Sequence, residues 1–271
     1  MKYFITGSSG FLGTHLRERL LTRNADTYLY ARDQDLSVLE EFQPDYIYHL
    51  AGEIYNEEEM YESNSTLTYR LLETARKLPI KAFIYVGSSS EYGRKDHPIA
   101  ETDYLSPSTL YEATKACGSL LCQAYAREFN TPVMIARPFS LYGKHEPWKR
   151  FIPTVIHHIK RKKTIHIAPG VHDFIHVDDF INGLFLLEQN VRPGEVFNFG
   201  TGIQTSNEDL VSMVEKAIGK STEKKLIGKI HSYDSDCWVC DNSKARELGW
   251  EPKFDLIRGL TQVIKEENVR N

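Results

Sequence analysis

A turn spaced by glycines follows the first strand-like run almost at once. Lys2–Thr6 reads as a short strand, and Thr6-Gly7-Ser8-Ser9-Gly10-Phe11-Leu12-Gly13 leads out of it. The run Phe11–Thr22 then places Phe11, Leu12, Leu16 and Leu20 at helical spacing. Glycine at 7, 10 and 13 lets backbone N–H groups approach a phosphate and lets the helix pack closely on the strand. A strand, a glycine turn and a helix in that order commit the chain to a β-α-β beginning.

The alternation continues. Thr27–Ala31, Tyr46–Ala51, Lys81–Gly87 and Val133–Arg137 read as strands, and Tyr111–Phe129 as a long helix. Between them Thr66–Leu78 carries Leu67, Leu71, Leu72, Ala75 and Leu78 on one stripe. This rhythm predicts an α/β fold, a doubly wound parallel sheet with helices on both faces. After Gly143 the rhythm changes. Trp148–Lys163 reads as a helix in an insertion, Asp173–Val177 and Val196–Gly200 as strands, 204–219 as an amphipathic helix and Lys244–Gly249 as a short one. The expected division is a cofactor domain from 1–145 plus roughly 171–200, and a small discontinuous lobe from roughly 146–170 and 201–271.

Composition excludes some classes. A net charge of −4 gives no footprint for nucleic acid, and Lys160-Arg161-Lys162-Lys163 reads as a solvated helix end. No apolar run reaches the roughly 18 residues of a membrane span. The N-terminus begins a strand with no secretory pattern, which predicts a cytoplasmic protein. Cys237 and Cys240 form a lone Cys-x-x-Cys with no second pair; with Cys117 and Cys122 they are expected to be reduced, and no metal site is expected.

Tyr111 and Lys115 stand four apart, on one face of the long helix. An ammonium beside a phenol favours the phenolate, which predicts a lowered tyrosine pKa and a proton shuttle near neutral pH. The spacing alone is common. In company with the glycine turn and the cluster Ser88-Ser89-Ser90 it points to chemistry beside a bound dinucleotide. At the end of the second strand, Tyr30-Ala31-Arg32-Asp33 offers Arg32 for a 2′-phosphate and Asp33 for a ribose hydroxyl. The cofactor is therefore expected to be NADP or NAD, with Arg32 favouring NADP.

With these motifs the chain resembles the extended short-chain dehydrogenase/reductase family of nucleotide-sugar epimerases, dehydratases and 4-keto reductases, on a Rossmann-type sheet. Further segments carry the likeness: His49-Leu50-Ala51-Gly52, Ser88-Ser89-Ser90-Glu91-Tyr92-Gly93, Arg137-Pro138-Phe139-Ser140-Leu141-Tyr142-Gly143, Asp173-Phe174-Ile175-His176-Val177-Asp178-Asp179 and Asp241-Asn242-Ser243-Lys244-Ala245. The resemblance implies that Tyr111 is the general acid/base, that Lys115 binds the nicotinamide ribose, and that Ser88 polarises the reacting oxygen. It implies cofactor contacts from Gly7, Ser9, Gly10, Phe11, Leu12 and Gly13 in the turn. Others are expected from Arg32, the adenine-side pair Asp35 and Leu36, the run Leu50, Ala51 and Gly52, and Asn64, Pro138 and Ser140. It also implies a homodimer through the helices at 66–78 and 111–129, with Leu120, Leu121 and Tyr125 available.

Departures from the family pattern bear on the reaction. Dehydratases of this family resemble one another in an acidic pair after the catalytic Ser or Thr, where this chain has Ser89 and Ser90; a 4,6-dehydratase is not expected. His145 falls where some epimerase-reductases carry a catalytic histidine, but the partner cysteine is replaced by Ser90. His172 and His231 stand at or near places where the family has substrate-pyrophosphate arginines, with Lys144, Lys149 and Arg150 as compensating cations. The expected substrate contacts are thus Ser89, Ser90, Ser140, His145, Arg150, His172 and His231. The reading is an NAD(P)-dependent oxidoreductase acting at C4 of a nucleotide-activated sugar, a 4-keto reductase in preference to a 4-epimerase. A non-catalytic dinucleotide sensor and an oxidoreductase for a non-nucleotide ketone or lactone are the rivals.

Overall fold

The computed structural model describes residues 1–228 and 236–268. In chain order the strands are β1 (Lys2–Thr6), β2 (Asp26–Tyr30), β3 (Tyr46–His49), β4 (Ala82–Val86), β5 (Val133–Pro138), β6 (Ser140–Tyr142), β7 (Ile165–Ile167), β8 (Val171–His172), β9 (Phe174–His176), β10 (Val196–Phe199), β11 (Thr205–Ser206) and β12 (Lys224–Leu226). The helices are α1 (Phe11–Leu21), α2 (Ser37–Phe42), α3 (Glu57–Tyr61), α4 (Leu67–Ala75), α5 (Leu110–Phe129), α6 (Phe151–Lys160), α7 (Val177–Gln189), α8 (Asn207–Ile218), α9 (Ser243–Glu247) and α10 (Leu256–Asn268).

Six strands form one parallel sheet in the order β10-β5-β4-β3-β1-β2. Side chains alternate across it, and each face is buried. Tyr3, Ile5, Tyr48 and Ile84 pack with Leu16, Leu20, Phe180 and Leu184 from α1 and α7. Phe4, Ile47, Phe83 and Ile135 pack on the other side with Leu39, Leu71, Leu72 and Cys122 from α2, α4 and α5. The chain runs from β1 outward to β2, then crosses back to β3 and onward to β10. A crevice opens where the direction reverses, beyond the carboxyl ends of β1 and β3, and this is where ligands bind in such sheets.

The lobe has its own core, in which Ile152, Val155 and Ile159 of α6 meet Val211 and Val214 of α8 and Leu260 and Val263 of α10. Residues 242–250 differ from the expected division. Ala245 and Trp250 belong to the core of the sheet, Lys244 donates to the carbonyl of Val196 at 2.8 Å, and Asn242 donates to that of Gly200 at 2.8 Å. Residues 242–250 therefore pack on the cofactor side. Helix α7 was not expected; its Val177, Phe180, Ile181, Leu184 and Phe185 are all buried.

Candidate active site

The glycine turn sits at the reversal point. Gly7 has φ +69°, and a Cβ there would lie 2.6 Å from the backbone nitrogen of Ala51, so glycine alone lets β1 and the segment after β3 approach. Gly10 caps α1 with no side-chain bond to the helix's first N–H groups. Those groups face the crevice and are suited to phosphate. Beneath the turn, neutral His49 bridges Thr6 at 2.7 Å and Thr68 at 2.8 Å. Burial and, secondarily, the charge of Lys115 push its pKa down to about 3.

Strand β4 delivers the serine cluster. The backbone N–H of Ser88 donates to Glu91 at 2.7 Å, and its hydroxyl lies 2.7 Å from that of Ser90 and accepts from the Ser90 N–H. Ser88-x-x-Glu91 is thus a capping box for the short 3₁₀ turn Ser89–Tyr92. Glu91 is fully buried and its other oxygen accepts from Arg137 at 2.8 Å. Gly87 makes room for that carboxylate, since a Cβ there would lie 2.5 Å from it. Arg137 in turn lies over the ring of Tyr92, whose hydroxyl donates to Asn198.

A second capping box, Thr109 with Glu112, fixes the start of α5. It puts Tyr111 in the first turn and Lys115 one turn on. Both line the crevice with Ser88, Ser89 and Ser90. Tyr111 is half-buried, on the crevice wall with Ser88. Burial raises its pKa above the ordinary 10, against the pull of the Ser88 hydroxyl and the Arg150 charge. The lowered phenol expected from sequence is therefore not the state of this structure. Lys115 donates to the carbonyl of Val86 at 2.6 Å and lies 4.6 Å from the Tyr85 ring centroid. Its own pKa is pushed down to about 8 by burial.

The crevice has a volume of about 630 Å³, ample for a ligand of dinucleotide size. Of the expected cofactor contacts, Gly7, Gly10, Phe11, Leu12, Gly13, Leu50, Gly52, Pro138 and Ser140 line it. Ser9 is exposed and Ala51 donates its N–H to Thr6. Asn64 lies behind the wall, gripping Glu53 through its N–H at 2.8 Å and its carbonyl at 3.0 Å. Asp35 accepts from the Ser37 N–H and Leu36 is buried against the sheet; neither lines the crevice. Arg32 does not either, being paired with Glu59 and lying 3.9 Å from Glu53.

On the substrate side, Arg150 and His172 line the crevice. Arg150 is steadied by Glu146 at 3.1 Å and by the carbonyl of Leu141, while His172 meets the Ser140 hydroxyl at 3.1 Å. Asp173, next to it, accepts N–H groups of Thr201, Gly202 and Cys240 and so ties three segments around the lobe side of the crevice. His145 is elsewhere, with φ +67° and its ring edge-on to His15. His231 lies outside the described residues. Glu53, Tyr55 and Trp238 line the crevice unannounced by any motif. The four cysteines are thiols rather than disulfides, and among the described residues no cluster of three metal-ligating side chains occurs. No helix among them is long and apolar enough to cross a membrane.

Comparison with known proteins agrees with this geometry. Residues 3–200 match the model of the NAD dependent epimerase/dehydratase family. A Bacillus subtilis (strain 168) protein described as an uncharacterized UDP-glucose epimerase is 29% identical, over 97% of each chain. A dTDP-glucose 4,6-dehydratase of Haemophilus influenzae is 26% identical, over 98% of this chain and 97% of its own. The crystal structure of UDP-glucuronic acid 4-epimerase from Bacillus cereus, in complex with UDP-glucuronic acid and NAD, superposes with a TM-score of 0.91 at 26% identity and covers both chains fully. With the glycine turn at the reversal point and Ser88, Tyr111 and Lys115 gathered at the crevice, the chain belongs to the NAD dependent epimerase/dehydratase family.

Proposed function

We propose that this chain is an NAD-dependent 4-epimerase of a nucleotide-activated sugar, UDP-linked as in the similar epimerases. One observation carries the reading: Ser88 and Tyr111 line the same crevice with hydroxyls at 89 and 90. That set moves a proton on and off one sugar oxygen. It offers no acid pair for expelling water from neighbouring carbons, so dehydration lacks its machinery. The glycine turn would hold the pyrophosphate of a dinucleotide, which would supply reversible hydride acceptance at the sugar carbon.

The chain's own groups do the rest. Tyr111 takes the C4 hydroxyl proton and later gives it back, and Ser88 holds the same oxygen. Burial keeps the phenol protonated at neutral pH, so its basic form depends on nearby positive charge. Arg150 supplies part of that charge from the lobe, and Lys115 reaches the ribose one turn below Tyr111. Ser89, Ser90, Ser140, Arg150 and His172 hold the sugar and its phosphates.

The preference for a 4-keto reductase drew on Arg32 as a ligand for NADP. With Arg32 turned to Glu59 and Glu53, that support weakens and the epimerase reading comes first. The active unit is a homodimer through α4 and α5.

Incubation of the purified protein with UDP-glucose, UDP-glucuronic acid and dTDP-glucose, each with NAD, tests the reading by NMR. An epimerase interconverts C4 epimers with no net change in NADH. A parallel incubation with a nucleotide-linked 4-keto sugar and NADPH gives the other arm: net NADPH consumption there, with no epimer exchange in the first, would make it a reductase.

A further inference from the structure

We propose that Glu59, with Glu53, selects NAD over NADP by holding Arg32 away from the place a 2′-phosphate would take. The inference rests on dinucleotide binding at the glycine turn, not on which sugar is turned over. Tyr30, the last residue of β2, pairs with Thr6 at the end of β1, so Arg32 stands beside the turn. In such folds the end of the second strand meets the adenosine ribose. An arginine there ordinarily reads as a 2′-phosphate ligand.

Here both terminal nitrogens of Arg32 face carboxylates. Nη1 pairs with Oε2 of Glu59 on α3, and Nη2 lies 3.9 Å from Oε2 of Glu53. Glu53 is fixed independently of Arg32. Its Oε1 accepts N–H groups of Ile54, Tyr55 and Asn56 at 2.9, 2.9 and 3.1 Å, and Asn64 grips its backbone from both sides. Glu59 rides on a helix whose first turn is capped by Asn56.

A 2′-phosphate brings nearly two negative charges. To reach Arg32 it would have to displace Glu59 and then sit beside two carboxylates, one of them stripped of its cation. A ribose 2′-hydroxyl meets no such repulsion and donates to a carboxylate instead. The pair is open to solvent, with side-chain exposures of 61% for Arg32 and 46% for Glu59, so it contributes little to the stability of the fold.

The test is fluorescence titration of NADH and of NADPH into protein stripped of co-purified nucleotide. The wild type is expected to bind NADH about tenfold tighter or more. Glu59→Gln should narrow that ratio by about two- to fivefold, the worth of one exposed charge pair, through NADPH alone. Adding Arg32→Gln to Glu59→Gln should abolish the gain. A wild type that prefers NADPH, a ratio unmoved by Glu59→Gln, or a loss of NADPH affinity on Arg32→Gln alone would each overturn the proposal. If neither nucleotide binds, the dinucleotide site itself fails and the proposal goes with it.

Discussion

Lys115 donates its ammonium to the backbone carbonyl of Val86 at 2.6 Å, which anchors α5, the helix of Tyr111, to the end of the strand that delivers Ser88. Burial lowers the pKa of this lysine from 10.5 to about 8. Between those values the unfolded chain binds more protons than the folded one, so stability from this group rises with pH across that window. Below pH 8 the buried ammonium is a full burden on the fold. Lys115→Met should therefore be more stable than its parent at pH 7, by a margin that shrinks toward pH 10. Turnover should fall by about 10²-fold or more. Urea denaturation of both proteins at pH 7, 9 and 10 reads the margin; one that does not change with pH would refute the assignment.

Tyr111→Phe separates an enzyme from a nucleotide sensor. The substitution deletes one oxygen and keeps the ring that lines the crevice. Turnover should drop by about 10²–10⁴-fold, the range of a lost general acid/base. NADH affinity should be unchanged. A variant that retains near-parental turnover would show that the proton moves through another group.

Glu91 belongs to the serine motif but does not line the crevice. It spans the Ser88 N–H and Arg137 from a fully buried position. Glu91→Gln leaves the Arg137 guanidinium buried without its counter-charge, and a loss of about 3–5 kcal/mol is expected. Glu91→Leu combined with Arg137→Met should recover much of that stability, yet remain slow because Ser88 has lost its backbone anchor. Chemical denaturation and steady-state kinetics on the pair give the two readouts. Recovery of full turnover in the double variant would show that Glu91 serves the fold alone.

The sheet was legible because each of its strands is an apolar run bounded by turns, and the sequence reading places Lys2–Thr6 and Val133 onward within a residue of the structure. That Tyr111 and Lys115 share a helix face was legible because their spacing is local, and both line the crevice. The wall of the crevice was not. Trp238 sits inside the lone Cys237-x-x-Cys240, and Tyr55 in a loop whose course is set by side-chain bonds of Glu53 and Asn64 to backbone groups, which no periodicity announces. Arg32 shows the limit most sharply. Its type suggested one cofactor, and only the placement of Glu59, 27 residues on, changes that reading. The pKa of Tyr111 failed for a related reason: spacing shows which charge shares a helix face, but not how much water is excluded around it. Helix α7 does carry i, i+3, i+4 spacing in Val177, Phe180 and Ile181, yet the preceding Asp173–Val177 run reads first as a strand.

The proposed homodimer makes its own prediction. Helices α4 and α5 lie side by side, with Tyr69 edge-on to Tyr125 at 6.5 Å. Tyr125 is spent in the chain's own core, at 6% exposure, and is not available to a partner. Leu120 and Tyr69 remain outward, at 55% and 47%, and Leu121 is partly covered. Two copies related by a two-fold axis would bring these faces together and bury the leucines and tyrosines against their equivalents. The protein should sediment at about twice its 31.2 kDa chain mass. Leu120→Glu with Tyr69→Glu places like charges opposite one another across such an axis and should give monomers without unfolding the chain, since both positions are open to solvent. A wild type that sediments at the mass of a single chain would remove the dimer, and a double variant that stays dimeric would move the interface elsewhere.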